Sequence, residues 1–293
     1  MSKQDNNTPQ DPDTTGHSWD GIEEFDNPLP RWWLWVFYAT IVWAILYTVA
    51  YPAWPLAKQA TAGFLGYSTR GEVAEQIAIV DEQNAALVEK LASADMLAIT
   101  DDTELNGFAR NMGAAVFRAN CSQCHGSGAS GAFGFPNLLD DDWLWGGTID
   151  DIVLTVTHGV RNEDSFDARW SEMPAFGEIL SEEEITQVVA FVRQLSGQDA
   201  DAALASAGEP IYLNECSACH MEDGTGDRFQ GAPNLSDAIW LYGGDEATLT
   251  ETVTNARFGV MPAWSEEFNA AFGLTPAEIN AVSAYVHQLG GGE

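Results

Sequence analysis

Two copies of the pattern Cys-x-x-Cys-His contain every cysteine in the chain. The first copy is Cys121-Ser122-Gln123-Cys124-His125, and the second is Cys216-Ser217-Ala218-Cys219-His220. In this pattern two thiols one helical turn apart bond covalently to the vinyl groups of a haem, and the histidine becomes an axial ligand of the iron. The sequence therefore predicts two c-type haems, covalently attached through Cys121, Cys124, Cys216 and Cys219 and ligated by His125 and His220.

Other sites are also built from paired cysteines, namely a four-cysteine zinc site, two redox dithiols or structural disulfides. A zinc ribbon places its two pairs about 15 to 20 residues apart, whereas the pairs that begin at Cys121 and Cys216 are much farther apart. None of the three alternatives explains why a histidine follows the second cysteine both times. The pattern therefore favours haem.

The two halves of the chain repeat more than the haem motif. Pro136-Asn137-Leu138 recurs as Pro233-Asn234-Leu235, and Trp143-Leu144-Trp145-Gly146-Gly147 recurs as Trp240-Leu241-Tyr242-Gly243-Gly244. Farther on, Met173-Pro174-Ala175-Phe176 matches Met261-Pro262-Ala263-Trp264 in the same order of landmarks. An internal repeat of this kind indicates two homologous domains.

Helix-start signals occur at matching places near the end of each repeat. Ser181 with Glu184, and Thr275 with Glu278, form capping boxes followed by apolar residues at helical spacing. An earlier helix precedes each haem motif, and in it Gly113 and Gly208 permit close approach of the terminal helix.

This arrangement resembles the small, mostly helical class I cytochrome c fold in both halves. The expected fold class is mainly α, with one N-terminal transmembrane helix followed by two tandem class I cytochrome c domains. The expected segments are a tail at 1–31, a membrane helix at 32–55, a helical linker at 56–105 and cytochrome domains at 106–197 and 204–293.

The sixth iron ligand decides between electron transfer and catalysis at each haem. Met173 and Met261 are each followed by Pro-Ala-aromatic, in a region that matches the Met-bearing loop of the family. The alternative role is a core methionine that fills gaps. His158 is another candidate ligand, but the second repeat has Asn255 at that place. We predict Met173 and Met261 as ligands, each in the same repeat as its histidine. His/Met ligation fills both axial positions, so we expect electron transfer.

The class I resemblance also implies roles for two further pairs of residues. Pro136 and Pro233 match the proline whose carbonyl orients the ligating imidazole. Trp143 and Trp240 match an aromatic residue that often donates a hydrogen bond to a haem propionate, although either can be an ordinary core residue. Arg161 and Arg257 are further candidates to neutralise propionates.

An uncharged segment from Trp32 to Tyr51 is long enough to cross a membrane, because as a helix it spans about 30 Å. A cleaved signal peptide is the alternative, but such peptides begin with a short basic region, whereas an acidic tail precedes this segment. Since bacteria attach haem c outside the cytoplasmic membrane, we expect a single-pass inner-membrane protein with a cytoplasmic N-terminus and periplasmic haem domains. Residues 72 to 91 are expected to form an amphipathic helix that positions the first haem domain, and a solvated spacer is the alternative.

The chain is strongly acidic, with 12 basic and 44 acidic residues and a formal net charge of -32. Such a charge repels nucleic acid and steers a basic electron donor at rates that depend on salt. Adaptation to a salty habitat explains the same composition equally well.

The N-terminal tail carries a more specific resemblance than the haem motifs. The segment Gly16–Trp33, together with Tyr51-Pro52-Ala53-Trp54-Pro55 and Gly66-Tyr67-Ser68-Thr69-Arg70, resembles subunit III of cbb3-type cytochrome c oxidases. The resemblance implies a non-catalytic electron-transfer subunit of a terminal oxidase. Its implied partners are an electron-donor cytochrome c, a monohaem cytochrome c subunit and the haem-copper catalytic subunit that reduces oxygen and pumps protons.

Two alternatives remain open from the sequence. One is a membrane-anchored dihaem cytochrome c that serves another respiratory complex, such as a nitric oxide reductase or a periplasmic dehydrogenase. The other is a dihaem peroxidase or sensor, which needs one haem to open for a ligand. Carbon monoxide binding to the ferrous protein separates this second alternative from an electron carrier.

Overall fold

The computed structural model describes residues 13–293 and confirms a mainly helical chain. These residues fall into two compact units, one up to Gln83 and one from Asn84 to Glu293. The α-helices are α1 Arg31–Ala50, α2 Thr69–Ala92, α3 Met96–Ile99, α4 Thr103–Val116, α5 Ser122–His125, α6 Ile149–His158, α7 Glu182–Leu195, α8 Ala202–Glu215, α9 Ser217–His220, α10 Glu246–Asn255 and α11 Pro276–His287.

The tail of the first unit contains a β-hairpin that the sequence reasoning did not predict. Strands β1 Thr14–Trp19 and β2 Ile22–Phe25 pair antiparallel through a turn at Asp20-Gly21. Both turn residues have positive φ, 51° and 84°. This conformation suits a two-residue hairpin turn and explains the Asp-Gly pair.

Helix α1 is the one helix of the described residues that is long and apolar enough to cross a membrane. It ends at Ala50, before the predicted limit of residue 55. Pro52 and Pro55 explain the earlier end, because proline cannot donate a helical hydrogen bond and restricts the residue before it. The predicted membrane segment 32–55 therefore contains a helix only in its first part.

The predicted linker 56–105 is helical over much of its length. Helix α2 covers the expected residues 72–91. In the second unit its last turn contributes Leu91, which is fully buried against Met96 and Ile99 of α3 and Leu105 of α4. The end of α2 is thereby fixed to the helix that precedes the first haem motif.

The two predicted terminal helices, α7 and α11, begin at the expected capping boxes. The Ser181 hydroxyl accepts from the Glu184 amide while the Glu184 carboxylate accepts from the Ser181 amide, and Thr275 and Glu278 form the same pair. The apolar faces of both helices are buried. These local predictions are confirmed.

Each terminal helix packs on the haem-motif helix of the other repeat. A Cβ placed at Gly113 in α4 would lie 2.1 Å from the carbonyl oxygen of Ala281 in α11. A Cβ at Gly208 in α8 would lie 2.0 Å from the carbonyl oxygen of Gln187 in α7. The two glycines allow close helix contact as predicted, but the repeats exchange the partner helices.

The short link between α7 and α8 gives a physical reason for this exchange. Only residues 196–201 separate the end of α7 from the start of α8. Sequential helices joined by so short a link pack most readily against each other. Helix α4 is consequently left to pair with the last helix, α11.

The loops before the terminal helices cross in the same way. Met261 exchanges two backbone hydrogen bonds of 3.0 Å with Val160, and the Trp264 amide donates to the Val156 carbonyl at 3.0 Å. In the opposite direction, a Cβ at Gly177 would lie 2.8 Å from the Thr254 side chain. The exchange therefore begins before residue 177 in the first repeat and by Met261 in the second.

Candidate haem sites

The two histidines of the haem motifs have the same hydrogen-bond geometry. Nδ1 of His125 lies 3.0 Å from the carbonyl oxygen of Pro136, and Nδ1 of His220 lies 3.0 Å from that of Pro233. A ligating imidazole generally donates its second nitrogen in this way, which fixes the ring and raises its basicity as a ligand. In both copies Nε2 is therefore the nitrogen left for iron.

A glycine in each haem-motif loop brings the proline carbonyl to the histidine. Gly131 and Gly226 have φ values of 70° and 78°, and their amides donate to the carbonyls of His125 and His220. A Cβ at Gly131 would lie 2.5 Å from the Phe135 carbonyl oxygen. The sequence reasoning missed these glycines, although they stand six residues after each histidine in both repeats.

Burial sets the protonation of the ligating groups. Desolvation lowers the pKa of His125 and His220, so the neutral imidazole that binds metal is favoured. Desolvation also raises the pKa of Cys121 and Cys216 to about 11. No disulfide links the four cysteines. Each motif therefore places two cysteines beside a neutral histidine, partly buried at His125 and buried at His220, which is the donor set that a c-type haem requires.

Cluster A is the apolar core around the first haem motif, and it combines both repeats. The first repeat contributes Phe117 and Ile152 with Cys121 beside them, and the second contributes Val282 of α11 and Met261. Further members are Val116, Ala129, Val156, Leu138, Trp143, Val153, Trp264, Leu274, Ile279, Tyr285, Val286 and Leu289.

Cluster B is the corresponding core around the second haem motif. It contains Cys216, Tyr212 and Leu249 from the second repeat, together with Val188 of α7 and Leu180 from the first. Each haem motif therefore faces the terminal helix that follows the other motif in the chain. An apolar enclosure of this kind excludes water from the iron site.

The predicted pairing of Met173 with His125 and of Met261 with His220 stays a prediction, and the packing of Met261 does not favour it. Met261 packs against Cluster A, which holds Cys121 of the first motif. Met173 precedes Phe176 and Leu180 in the segment that reaches α10 and Cluster B. Both methionines are partly buried, as ligands in a haem crevice need to be. The exchange of terminal segments thus places Met261 against the core of the first motif, and it places the residues that follow Met173 on α10 of the second repeat.

The two tryptophans differ in their hydrogen bonding. The Trp143 indole donates to the Gly291 carbonyl at 2.5 Å, whereas the Trp240 indole makes no hydrogen bond to the described residues. Each ring lies against the second glycine of its Gly-Gly pair, Gly147 or Gly244. The predicted propionate contact therefore stays a prediction for both residues. The indole N–H of Trp143 already has an acceptor, whereas that of Trp240 has none among the described residues.

His158 is a structural residue in this fold. Its Nδ1 lies 2.8 Å from the Ser165 hydroxyl, and its ring lies beside Phe268. Arg161 donates to the carbonyls of Ser171 and Gly259, so it joins the two repeats at the crossing loops. These contacts occupy Nδ1 of His158 and two donors of Arg161, and the propionate role of Arg161 stays a prediction.

Three family models match consecutive parts of the chain. The N-terminal domain of cytochrome oxidase-cbb3, FixP, matches residues 11–58. The model of cytochrome c oxidase, cbb3-type, subunit III matches residues 109–192, and the cytochrome c model matches residues 205–290. The two haem motifs thus lie in separate cytochrome c matches.

Characterised relatives align with nearly the whole chain. The cbb3-type cytochrome c oxidase subunit CcoP of Cereibacter sphaeroides is 60% identical over 287 residues, which cover 97% of each chain. The CcoP subunit of Rhodobacter capsulatus is 52% identical over 98% of each chain. The FixP subunit of Azorhizobium caulinodans is 50% identical over 96% of this chain and 94% of its own.

Proposed function

The chain belongs to the CcoP/FixP family of cbb3-type cytochrome c oxidase subunits, and from this membership we propose how it carries electrons. It is an electron-transfer subunit with two cytochrome c domains, in a complex that is an oxidoreductase. We propose that it accepts electrons from a cytochrome c and passes them to a monohaem subunit. That subunit delivers them to the haem-copper subunit, where oxygen is reduced and protons are pumped.

Two covalently bound haems with exchanged axial ligands are part of this proposal. His125 and Met261 would hold the iron of the haem attached to Cys121 and Cys124, and His220 and Met173 would hold that of the haem attached to Cys216 and Cys219. The packing of Met261 against Cluster A, which also holds Cys121, is the observation that carries the first pair. The reciprocal packing of residues 176–178 on α10 supports the second pair.

The haem supplies a one-electron iron couple when it is bound. The residues of this chain hold that couple in one geometry, because Pro136 and Pro233 accept from the histidines and fix their rings. Clusters A and B exclude water, and a methionine sulfur as iron ligand favours the reduced iron. A histidine and a methionine on each iron would leave no position for oxygen, so in this proposal the subunit is non-catalytic and the oxygen chemistry belongs to another subunit.

The proposed topology rests on helix α1 and on the haem motifs. α1 crosses the bacterial inner membrane once, the tail 1–31 is cytoplasmic, and the haem-bearing residues 106–197 and 204–293 are periplasmic. Haem c attachment outside the cytoplasmic membrane supports this orientation. These two ranges are the proposed limits of the repeats, and each haem pocket draws residues from both ranges.

Oxygen uptake by the complex isolated through this chain in mild detergent tests the proposed function. With reduced cytochrome c as donor, we expect cyanide-sensitive uptake and copurification of haem b and copper. A preparation that contains haem c and all its subunits but takes up no oxygen would instead favour another respiratory complex. Carbon monoxide binding to the haem c groups of the ferrous native chain would favour a peroxidase or sensor.

A further inference from the structure

Arg257 differs from the other basic residues in the unit from Asn84 to Glu293. Four of them pair with carboxylates, namely Lys90 with Asp102, Arg169 with Asp151, Arg193 with Glu246 and Arg228 with Glu293. Arg110 and Arg118 are exposed, and Arg161 donates to two carbonyls. Arg257 is partly buried, and among the described residues its guanidinium has no carboxylate partner and no hydrogen-bond acceptor.

Aromatic rings from both repeats surround this guanidinium. Its central carbon lies 5.8 Å from the ring centre of Tyr242 and 6.0 Å from that of Phe133. Its Nη1 atom is completely buried and unpaired. Cation–π contacts offset part of the cost of desolvation, but a buried N–H without an acceptor still costs free energy.

In the first repeat, the arginine that corresponds to Arg257 is paired with a carboxylate. Arg169 and Arg257 each stand four residues before a predicted methionine ligand, in Ala168-Arg169-Trp170 and Ala256-Arg257-Phe258. Arg169 lies 5.8 Å from the Trp145 ring, which matches Tyr242, and pairs with Asp151 at 2.6 Å. The sequence analysis named Arg257 as a propionate candidate together with Arg161, but it did not match Arg257 with Arg169.

The second repeat lacks the matching carboxylate. Asp151 is the third residue of α6, and the third residue of α10 is Thr248. The N-cap residues also differ between the two helices: α6 is capped by Thr148, whereas α10 is capped by Asp245. The same acid and hydroxyl thus occur in reversed order, which leaves Arg257 unpaired in a chain of net charge -32.

We propose that Arg257 binds a propionate of one of the two haems and raises its reduction potential. The inference rests on the proposed presence of haem c in both repeats. The chain is rich in carboxylates, yet none of the described carboxylates pairs with the partly buried guanidinium of Arg257. We therefore infer that its partner is an anion other than a side chain. The haem propionate is an anion that the proposed cofactor brings into this part of the fold. A positive charge there stabilises ferrous haem relative to ferric haem.

Spectroelectrochemical titration of the purified complex tests this inference. We expect Arg257→Gln to lower one of the two haem c potentials, by about tenfold in the equilibrium constant for reduction, or about 59 mV for one electron. Arg257→Lys should keep most of the potential because it keeps the charge. Arg110→Gln removes the same charge from an exposed site and is the matched control, expected to move neither potential appreciably.

A second variant tests the same point without changing composition or net charge. The double change Asp245→Thr with Thr248→Asp reproduces the order found in α6 and provides Arg257 with a carboxylate. We expect it to lower the same potential, because the side-chain carboxylate then replaces the propionate as partner. This variant also decides the question if Arg257→Gln fails to assemble.

The outcomes separate this inference from the proposed function. Both potentials unchanged in Arg257→Gln, or in the exchange variant if the first fails to assemble, would overturn the role of Arg257 and leave the electron-transfer function intact. Absence of haem c from the native chain, measured by alkaline pyridine spectra, would overturn the proposed function itself.

Discussion

The exchanged pairing of axial ligands can be tested by counting intact haems in double variants. If His125 and Met261 ligate one iron, His125→Ala with Met261→Ala removes both ligands from that haem and leaves the other haem unaltered. His125→Ala with Met173→Ala instead removes one ligand from each haem. The two variants lose the same kinds of side chain, so they differ only in how the losses are distributed.

The expected fraction of intact His/Met haems in each double variant follows from the packing of Met261 in Cluster A and of residues 176–178 on α10. The first double variant should keep half of the intact His/Met haems, and the second should keep none. Pairing within each repeat predicts the reverse result. The two double variants should therefore differ clearly, because one keeps half of the His/Met haem signal and the other loses all of it.

The long-wavelength iron–sulfur absorption band of ferric His/Met haem measures this number. Its intensity is divided by total haem c, which remains attached through the thioether bonds when an axial ligand is lost. Met261→Ala and Met173→Ala alone are the controls, each expected to halve the band. Retention of half the band by His125→Ala with Met173→Ala, and its loss in His125→Ala with Met261→Ala, would refute the exchanged pairing.

Three further predictions concern stability. Gly113→Ala should destabilise the fold by about 2 to 4 kcal/mol in urea unfolding, because its Cβ would lie 2.1 Å from the Ala281 carbonyl oxygen. Gly107→Ala on the same helix has open space around it and should be neutral or stabilising by up to about 1 kcal/mol, so equal effects would contradict the close contact. Glu278→Ala should cost about 1 kcal/mol because it removes half of the α11 capping box, and an unchanged urea midpoint would show that the box contributes nothing. Burial and the neighbouring Asp237 and Asp140 raise the pKa of Asp142 to about 6, so stability should fall as pH rises from about 4 to 6. Asp142→Asn should remove that decline and raise the free energy of unfolding at pH 7 by about 1 kcal/mol after solvent screening. Thermal unfolding of both proteins at about pH 4 and at pH 7 measures the difference.

Local features of the sequence predicted the starts of both terminal helices and the contacts between the motif histidines and the prolines. The capping boxes at Ser181 and Thr275 placed the starts of α7 and α11 because cap chemistry depends on residues three positions apart. Pro136 and Pro233 were identified by resemblance, and their carbonyls do meet the histidines. The Asp20-Gly21 hairpin carried a usable turn signal that was overlooked.

Helix partners could not be predicted from the same signals. Gly113 and Gly208 indicate that a helix approaches closely, but two homologous terminal helices are equally suitable for either glycine. The choice depends on the length of the link at 196–201, a long-range constraint that no motif records. For the same reason, distance along the sequence did not indicate that Met261 packs against the core of the first motif. The unpaired charge of Arg257 becomes visible only when the two repeats are compared residue by residue.

The exchange of terminal helices has a consequence for the order in which the chain is made. Synthesis proceeds from the N-terminus, so the first haem motif emerges long before α11, the last helix of its pocket. The second motif emerges when α7 is already present, and its pocket needs nothing beyond α10. The pockets are therefore completed in the opposite order to their motifs. A chain that stops after Asn255 loses the closing helix of its first haem rather than that of its second.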